Sequence, residues 1–215
     1  MIGAVFDVDR TLLPRTTAER IFLRFLIHER VIGLRSLLET VRFLAVEGRS
    51  RPIRAVRQHR PYLRGQSVPV MFELGRRCFD ESILPRLAPR GVAELATHER
   101  QGHAIVLLSG SLPFVLQPMA AALDVDYLIC SRLDVRDQRL TGRLTGLHPQ
   151  GRAKALLVRR LAGERAIDLD RSFCYADHHT DQSLLELFGH PICVNPTERL
   201  RAIARQRGWA IEWFA

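Results

Sequence analysis

The sequence predicts an α/β protein, a doubly wound parallel-sheet core with an all-helical unit inserted after its first strand. Three observations carry this. From about residue 90 onward short apolar runs alternate with helical patterns, residues 15–85 read as helix almost throughout, and the polar clusters fall at the carboxyl ends of the apolar runs. The expected division is a core made of residues 1–14 and 86–215 and a helical cap made of residues 15–85.

The elements follow in order. Ile2 to Val8 is a short apolar strand that ends in acid. Thr16-Thr17-Ala18-Glu19 reads as a capping box, opening a helix whose apolar positions Ile21, Phe22, Phe25 and Leu26 carry it to about Arg30. Gly33 to Gly48 repeats the pattern through Leu34, Leu37, Leu38, Val41 and Leu44, and further helix is expected from Pro52 to His59 and from Val68 to Cys78. The core then runs helix 91–101, strand 103–108, helix 114–123, strand 126–130, a hairpin within 133–147, helix 152–161, strand 172–175, helix 181–187, strand 191–194 and helix 198–207, with Trp209, Trp213 and Phe214 in a last edge strand. This is a Rossmann-like succession, and in such sheets ligands sit beyond the carboxyl ends of the strands.

Composition excludes several classes. The chain of 215 residues is 47% hydrophobic, enough for a substantial core, and no apolar run approaches the roughly 20 residues that span a bilayer. The first residues lack a basic segment and reach Asp7 at once, so no signal peptide is expected and a cytoplasmic location is. Cys78, Cys130, Cys174 and Cys193 show no metal-type spacing and read as buried free thiols.

Net charge is +9, and residues 15–64 hold twelve arginines against four glutamates. Such a field attracts phosphates, an anionic membrane surface or nucleic acid; solvated helix faces account for it slightly better than any specific partner, and no specific nucleic acid is expected. All but one of the 32 basic residues are arginine. The exception, Lys154, marks a place where a compact ammonium must serve and a broad guanidinium would not.

Asp7 and Asp9 alternate onto one side of the extended chain, so each raises the other's pKa unless a cation intervenes. Oxygen donors of this kind suit Mg2+. Taken alone, an Asp-x-Asp after a strand is more often a turn or a helix cap. Here it is joined by Ser109-Gly110-Ser111, Lys154, and Asp177-His178-His179-Thr180-Asp181, each expected at the same edge of the sheet.

Together these segments resemble the four motifs of the haloacid dehalogenase superfamily of phosphohydrolases: Asp7-x-Asp9-x-Thr11, the strand ending at Ser109, Lys154 in Gly151-Arg152-Ala153-Lys154, and the acidic loop Asp177 to Asp181. The helical insert and Leu140-Thr141-Gly142-Arg143-Leu144 resemble the phosphoserine-phosphatase-like branch. The resemblance implies catalytic roles for Asp7 (nucleophile), Asp9 (general acid and base) and Lys154, phosphate binding by Thr11, Ser109, Gly110 and Lys154, a magnesium site at Asp7, Asp9 and Asp177, and a supporting role for Asp181. It departs from the pattern at Arg10, where glycine is commonest; an arginine there is tolerable if its φ is negative, and it sets a bulky cation beside the entrance. It departs again at His178 and His179, for which substrate contact, a softer metal and solvent are all open readings with solvent favoured, and at Thr16, where phosphoserine phosphatases place an acid.

The expected activity is thus magnesium-dependent hydrolysis of a small-molecule or lipid-linked phosphate ester through a phosphoaspartyl intermediate, with peripheral membrane contact left open by the basic cap. Transfer of the phosphoryl group to an alcohol fits the same residues. A catalytically weak module that binds nucleic acid or membrane through its arginines is the alternative from another class, and the carboxylate cluster speaks against it.

Overall fold

A computed structural model of the chain describes residues 1–47 and 59–214. Six parallel strands, β1 (Gly3–Asp7), β2 (Ala104–Leu108), β3 (Tyr127–Ile129), β6 (Phe173–Ala176), β7 (His190–Val194) and β8 (Ala210–Glu212), form one sheet in the order β3-β2-β1-β6-β7-β8. A separate antiparallel ribbon pairs β4 (Arg132–Arg136) with β5 (Arg139–Thr145). The order places β1 between β2 and β6. Asp7 lies opposite Leu108, so Asp7, Ser109 and Asp177 end three adjacent strands at one edge, which is the basis of the site.

Helices cover both faces. Every residue of β1 and β2 is buried, as expected of strands sandwiched on two sides. Phe6 of β1 faces α4 (Pro89–Arg100) and α5 (Pro113–Ala122), sharing a core with Leu95, Phe114 and Met119. Val5 faces the opposite core, built with Val158 of α6 (Arg152–Arg165), Leu184 of α7 (Gln182–Leu185) and Leu200 of α8 (Glu198–Arg207). Under α4 a polar network is fully paired. Tyr175 donates to Glu94 at 2.9 Å, while His98 bonds the Tyr175 hydroxyl and His103 at 2.8 Å each.

Between β1 and α4 lie α1 (Ala18–His28), α2 (Leu34–Glu47) and α3 (Val68–Cys78). Helix α1 buries Ile21, Phe22, Phe25 and Leu26, the stripe its periodicity predicts. Its N-cap is Thr17, which accepts from the Arg20 amide at 3.2 Å. The capping box therefore does not form, because Glu19 turns toward the strand-end crevice instead. Helix α3 packs so closely on α5 that a Cβ on Gly75 would sit 2.2 Å from the Phe114 carbonyl oxygen. On α2, Leu34, Leu38 and Val41 are 74%, 60% and 64% exposed, contrary to the packed face expected of them. The helix expected over Pro52–His59 falls almost wholly outside the described residues.

The chain returning from these helices lies along β5. Arg60 donates to the Gly142 carbonyl at 2.7 Å, Gly65 to Leu140 at 2.8 Å, and Leu140 to Gln66 at 2.9 Å, so β5 is bordered by β4 on one side and by residues 59–67 on the other. The four cysteines are free thiols; Cys130 is half-buried where full burial was expected. No helix of the described residues is long and apolar enough to cross a membrane.

Candidate active site

The strand ends open into a crevice of about 500 Å3 lined by Asp7, Asp9, Gly110, Lys154, Asp177 and Asp181 from the sheet side and by Thr17, Glu19 and Arg60 from the helical side. Asp7 ends β1 and is 4% exposed, with its Oδ1 accepting from the Val8 amide at 2.9 Å. Lys154, in the first turn of α6, brings its ammonium to 3.0 Å from Asp7 and 2.8 Å from Asp181. The single lysine of the chain thus bridges two buried carboxylates.

Asp7, Asp177 and Asp181 bring ligand oxygens within 4.8 Å of one another. One ammonium cannot neutralise three carboxylates. Burial, together with the neighbouring Asp181, Asp177 and Asp9, holds Asp7 well above the usual carboxylate range against the pull of Lys154. Burial likewise pushes Asp177 up to about 6. Lys154 itself would be lowered by burial, but Asp7 and Asp181 outweigh that and keep it charged. A buried, all-oxygen cluster with surplus negative charge fits a hard divalent cation.

Asp9, expected as both catalyst and metal ligand, does not join that cluster with its side chain. Its carboxylate accepts from the Ala18 amide at 2.7 Å, the Ser109 hydroxyl at 2.7 Å and the Ser111 hydroxyl at 2.9 Å. Asp181, expected only as a support, lies in the cluster and also holds Lys154. Ser109 is buried and hydrogen-bonded to Asp9, and its oxygen accepts from the Ser111 amide at 2.9 Å. Thr11 is fully buried, and its hydroxyl has no hydrogen-bond partner among the described residues.

Three expectations are corrected. Arg10 has φ +67°, in the left-handed region, because its amide turns back to the carbonyls of Leu13 and Thr16 at 3.0 and 3.1 Å. His178 does not point to solvent: it is half-buried, lines the crevice, and its Nδ1 caps the next turn by accepting from the Thr180 amide at 3.3 Å. His179 is half-buried as well, its ring tilted 38° against that of His178 with centroids 4.2 Å apart.

Glu19 and Arg60 line one wall of the crevice, with Tyr62 bonded to Glu19, and neither Arg60 nor Tyr62 carries a spacing signal. Glu19 accepts from the Tyr62 hydroxyl and an Arg60 guanidinium nitrogen, each at 2.8 Å. Ser111 and His148 also reach the crevice. Ser111 was legible as the end of the serine-glycine-serine run; the others were not.

A carboxylate cluster with one lysine at the carboxyl edge of a doubly wound parallel sheet, covered by helices, defines a hydrolase of the phosphoryl-transfer type. The family model of the haloacid dehalogenase-like hydrolases matches residues 4–186, and the chain belongs to that family. It is 29% identical, over 99% of its own length and 70% of the relative's, to a Mycobacterium tuberculosis protein named phosphoserine phosphatase SerB1. It is 25% identical to a histidinol-phosphatase of Neisseria meningitidis, over 97% of this chain and 96% of the relative. A Bordetella pertussis protein of unknown function has the same fold, with TM-score 0.85 and 26% identity over 99% of this chain and 98% of that one. These relatives place the chain among the phosphatases of the family.

Proposed function

We propose that the protein is a magnesium-dependent phosphomonoesterase acting through a phosphoaspartyl intermediate on a small-molecule phosphate ester. The observation that carries the reading is the buried position of Asp7 at the head of β1, 3.0 Å from Lys154 and within the Asp177–Asp181 cluster.

The assigned roles follow from the contacts. An Asp7 oxygen attacks phosphorus and the P–O bond to the leaving alcohol breaks. Lys154 compensates charge shared by Asp7 and the phosphoryl group. Asp9 gives a proton to the departing oxygen, then takes one from the water that attacks the phosphoaspartate, restoring Asp7 and releasing phosphate. For this, Asp9 must turn away from Ser109. That rotation frees the Ser109 hydroxyl for a phosphoryl oxygen at the same moment, so one movement arms both groups. Asp7, Asp177 and Asp181 would hold Mg2+, which supplies positive charge against the phosphoryl oxygens.

The wall of Glu19 and Arg60 bears on the substrate. Both Glu19 oxygens are engaged, so recognising a substrate ammonium there would first cost a half-buried ion pair. A lipid-linked ester, with peripheral membrane contact, is the second reading, supported by the exposed row Leu34, Leu38 and Val41 on the arginine-rich cap.

The test is hydrolysis of an aryl phosphate with and without magnesium, alongside Asp7→Asn. Metal-dependent turnover that the variant abolishes supports the reading. Metal-independent turnover, or turnover that survives Asp7→Asn, overturns it.

A further inference from the structure

We propose that the face of the β4–β5 ribbon turned away from the core, together with Arg64 of the chain beside it, is a binding site for a multiply phosphorylated group, separate from the catalytic crevice. A cavity of about 690 Å3 opens there, lined by Arg64, Arg136, Arg139 and Arg143, with Asp134 the one acid among its lining residues. It shares no lining residue with the crevice.

The hairpin forces these arginines together. Asp137 and Gln138 both take positive φ, +47° and +58°, as in the two-residue turns that fix strand register. That register sets Arg136 directly across from Arg139. Alternation along β5 turns Leu140, 2% exposed, toward the core and puts Arg139, Thr141 and Arg143 on the opposite face. Like charges directly opposite one another on a ribbon cost stability. An anion laid across the pair turns that repulsion into attraction.

Arg64 comes from the other side of β5, on the chain of residues 59–67 that borders it. Gly142 has φ +81°, and a Cβ there would stand 3.2 Å from the Arg60 carbonyl oxygen and 3.4 Å from the Cβ of Arg64, so glycine lets this chain lie close against β5. Three segments thus bring cations to one cavity. Little on the protein neutralises them. The Thr141 hydroxyl donates to the Asp134 carboxylate at 2.9 Å, and Arg139 gives one guanidinium nitrogen to the Gly65 carbonyl at 2.8 Å. Arg64, Arg136 and Arg143 are exposed and make no side-chain hydrogen bond or ion pair among the described residues. Four arginines against one aspartate leave three positive charges, which calls for more than one phosphate group. Guanidinium forks meet phosphate oxygens in pairs, the geometry such a group requires. The phosphates arrive on a soluble molecule or on a lipid headgroup, and the chemistry at the arginines is the same for both.

The test compares the wild type with the double variant Arg136→Gln, Arg143→Gln and with a charge-matched control, Arg159→Gln, Arg205→Gln, whose arginines are exposed and line neither cavity. Binding of inorganic tripolyphosphate is read by calorimetry, and binding to phosphatidylcholine vesicles with and without phosphatidylinositol bisphosphate by co-sedimentation. The double variant is expected to lose about tenfold in affinity for each arginine, the scale of one charge-assisted hydrogen bond, while the control pair binds as the wild type does. Arg64→Gln, outside the strands, should lose about tenfold. Turnover of an aryl phosphate should be unchanged in the double variant, and its thermal stability no lower, since the Arg136–Arg139 repulsion is relieved. Tripolyphosphate binding that follows this order assigns a soluble ligand; vesicle binding that follows it, without tripolyphosphate binding, assigns a headgroup. Equal loss in the control pair, turnover that falls with affinity, undiminished binding in both the double variant and Arg64→Gln, or a wild type that binds neither probe overturns the site.

Discussion

The ammonium of Lys154 stands 3.0 Å from the carboxylate of Asp7, both groups almost wholly removed from solvent. Removing one member of such a pair leaves a buried charge uncompensated, at a cost of about 3–5 kcal/mol. Lys154→Met is therefore expected to lose stability of that order at neutral pH, read by denaturant unfolding, and turnover by about 100-fold or more. Lys154→Arg should regain stability without regaining turnover, since the planar guanidinium does not fit between two carboxylates and a phosphate. Equal activity in Lys154→Arg and wild type would count against the assigned role.

Asp177, held at about 6 by burial first, makes metal-free stability depend on pH. Its folded pKa lies above the unfolded value, so the folded state binds the proton more tightly. The associated stability is fully present below about pH 4 and is lost as pH rises through 6, amounting to on the order of 2–3 kcal/mol. Metal-free protein should thus gain less from Asp177→Asn at pH 5 than at pH 7.5. At pH 7.5 magnesium at about 100 times its Kd should stabilise the wild type by about 2.7 kcal/mol, and Asp177→Asn by less. Thermal unfolding with and without metal reads both.

His98 predicts the opposite slope. It is buried against Tyr175 and His103, and burial first, then His103, lowers its pKa to about 4. A folded pKa below the unfolded value of about 6.5 gives stability present above 6.5 and lost as pH falls through 4. His98→Gln should remove most of this acid sensitivity while costing stability at neutral pH. An unchanged acid midpoint in the variant would show that another group governs it.

Arg10 adopts φ +67°, a conformation that costs a non-glycine residue about 1 kcal/mol. Arg10→Gly should raise Tm by about 2–4 °C. The Arg10 guanidinium also lowers Asp177, so the same substitution should move the Asp177 titration upward, visible by NMR. A fall in Tm would mean that contacts of the Arg10 side chain outweigh the strain.

The sheet and its chemistry were legible because both are local. Short unbroken apolar runs mark β1 and β2, and the rule that ligands sit beyond strand ends gathers Asp7, Ser109 and Asp177 before any coordinates. What was not legible depends on partners distant in the chain. Glu19 fits a capping box as well as it fits a crevice, and only the approach of Arg60 and Tyr62, more than 40 residues away, decides between them. Arg10 illustrates another limit. Composition disfavours a positive φ there, and the Leu13 and Thr16 carbonyls that impose it come from the fold of the turn. Asp9 looked like a ligand because it neighbours Asp7, yet two serines and the first amide of α1 claim its carboxylate.

The strip of chain that borders β5 ties the helical side of the crevice to the ribbon. Arg60 and Tyr62, which hold Glu19, ride on this strip, and the strip is sewn to the β4–β5 ribbon through Gly142 and Leu140. The helices cannot swing away as a free lid unless the ribbon travels with them or those main-chain bonds part. The amide protons of Gly65 and Leu140, which carry two of those bonds, report which of the two happens. Exchange no faster than that of the β1 amides is expected if strip and ribbon stay joined; exchange at the pace of turnover would mean that the bonds part.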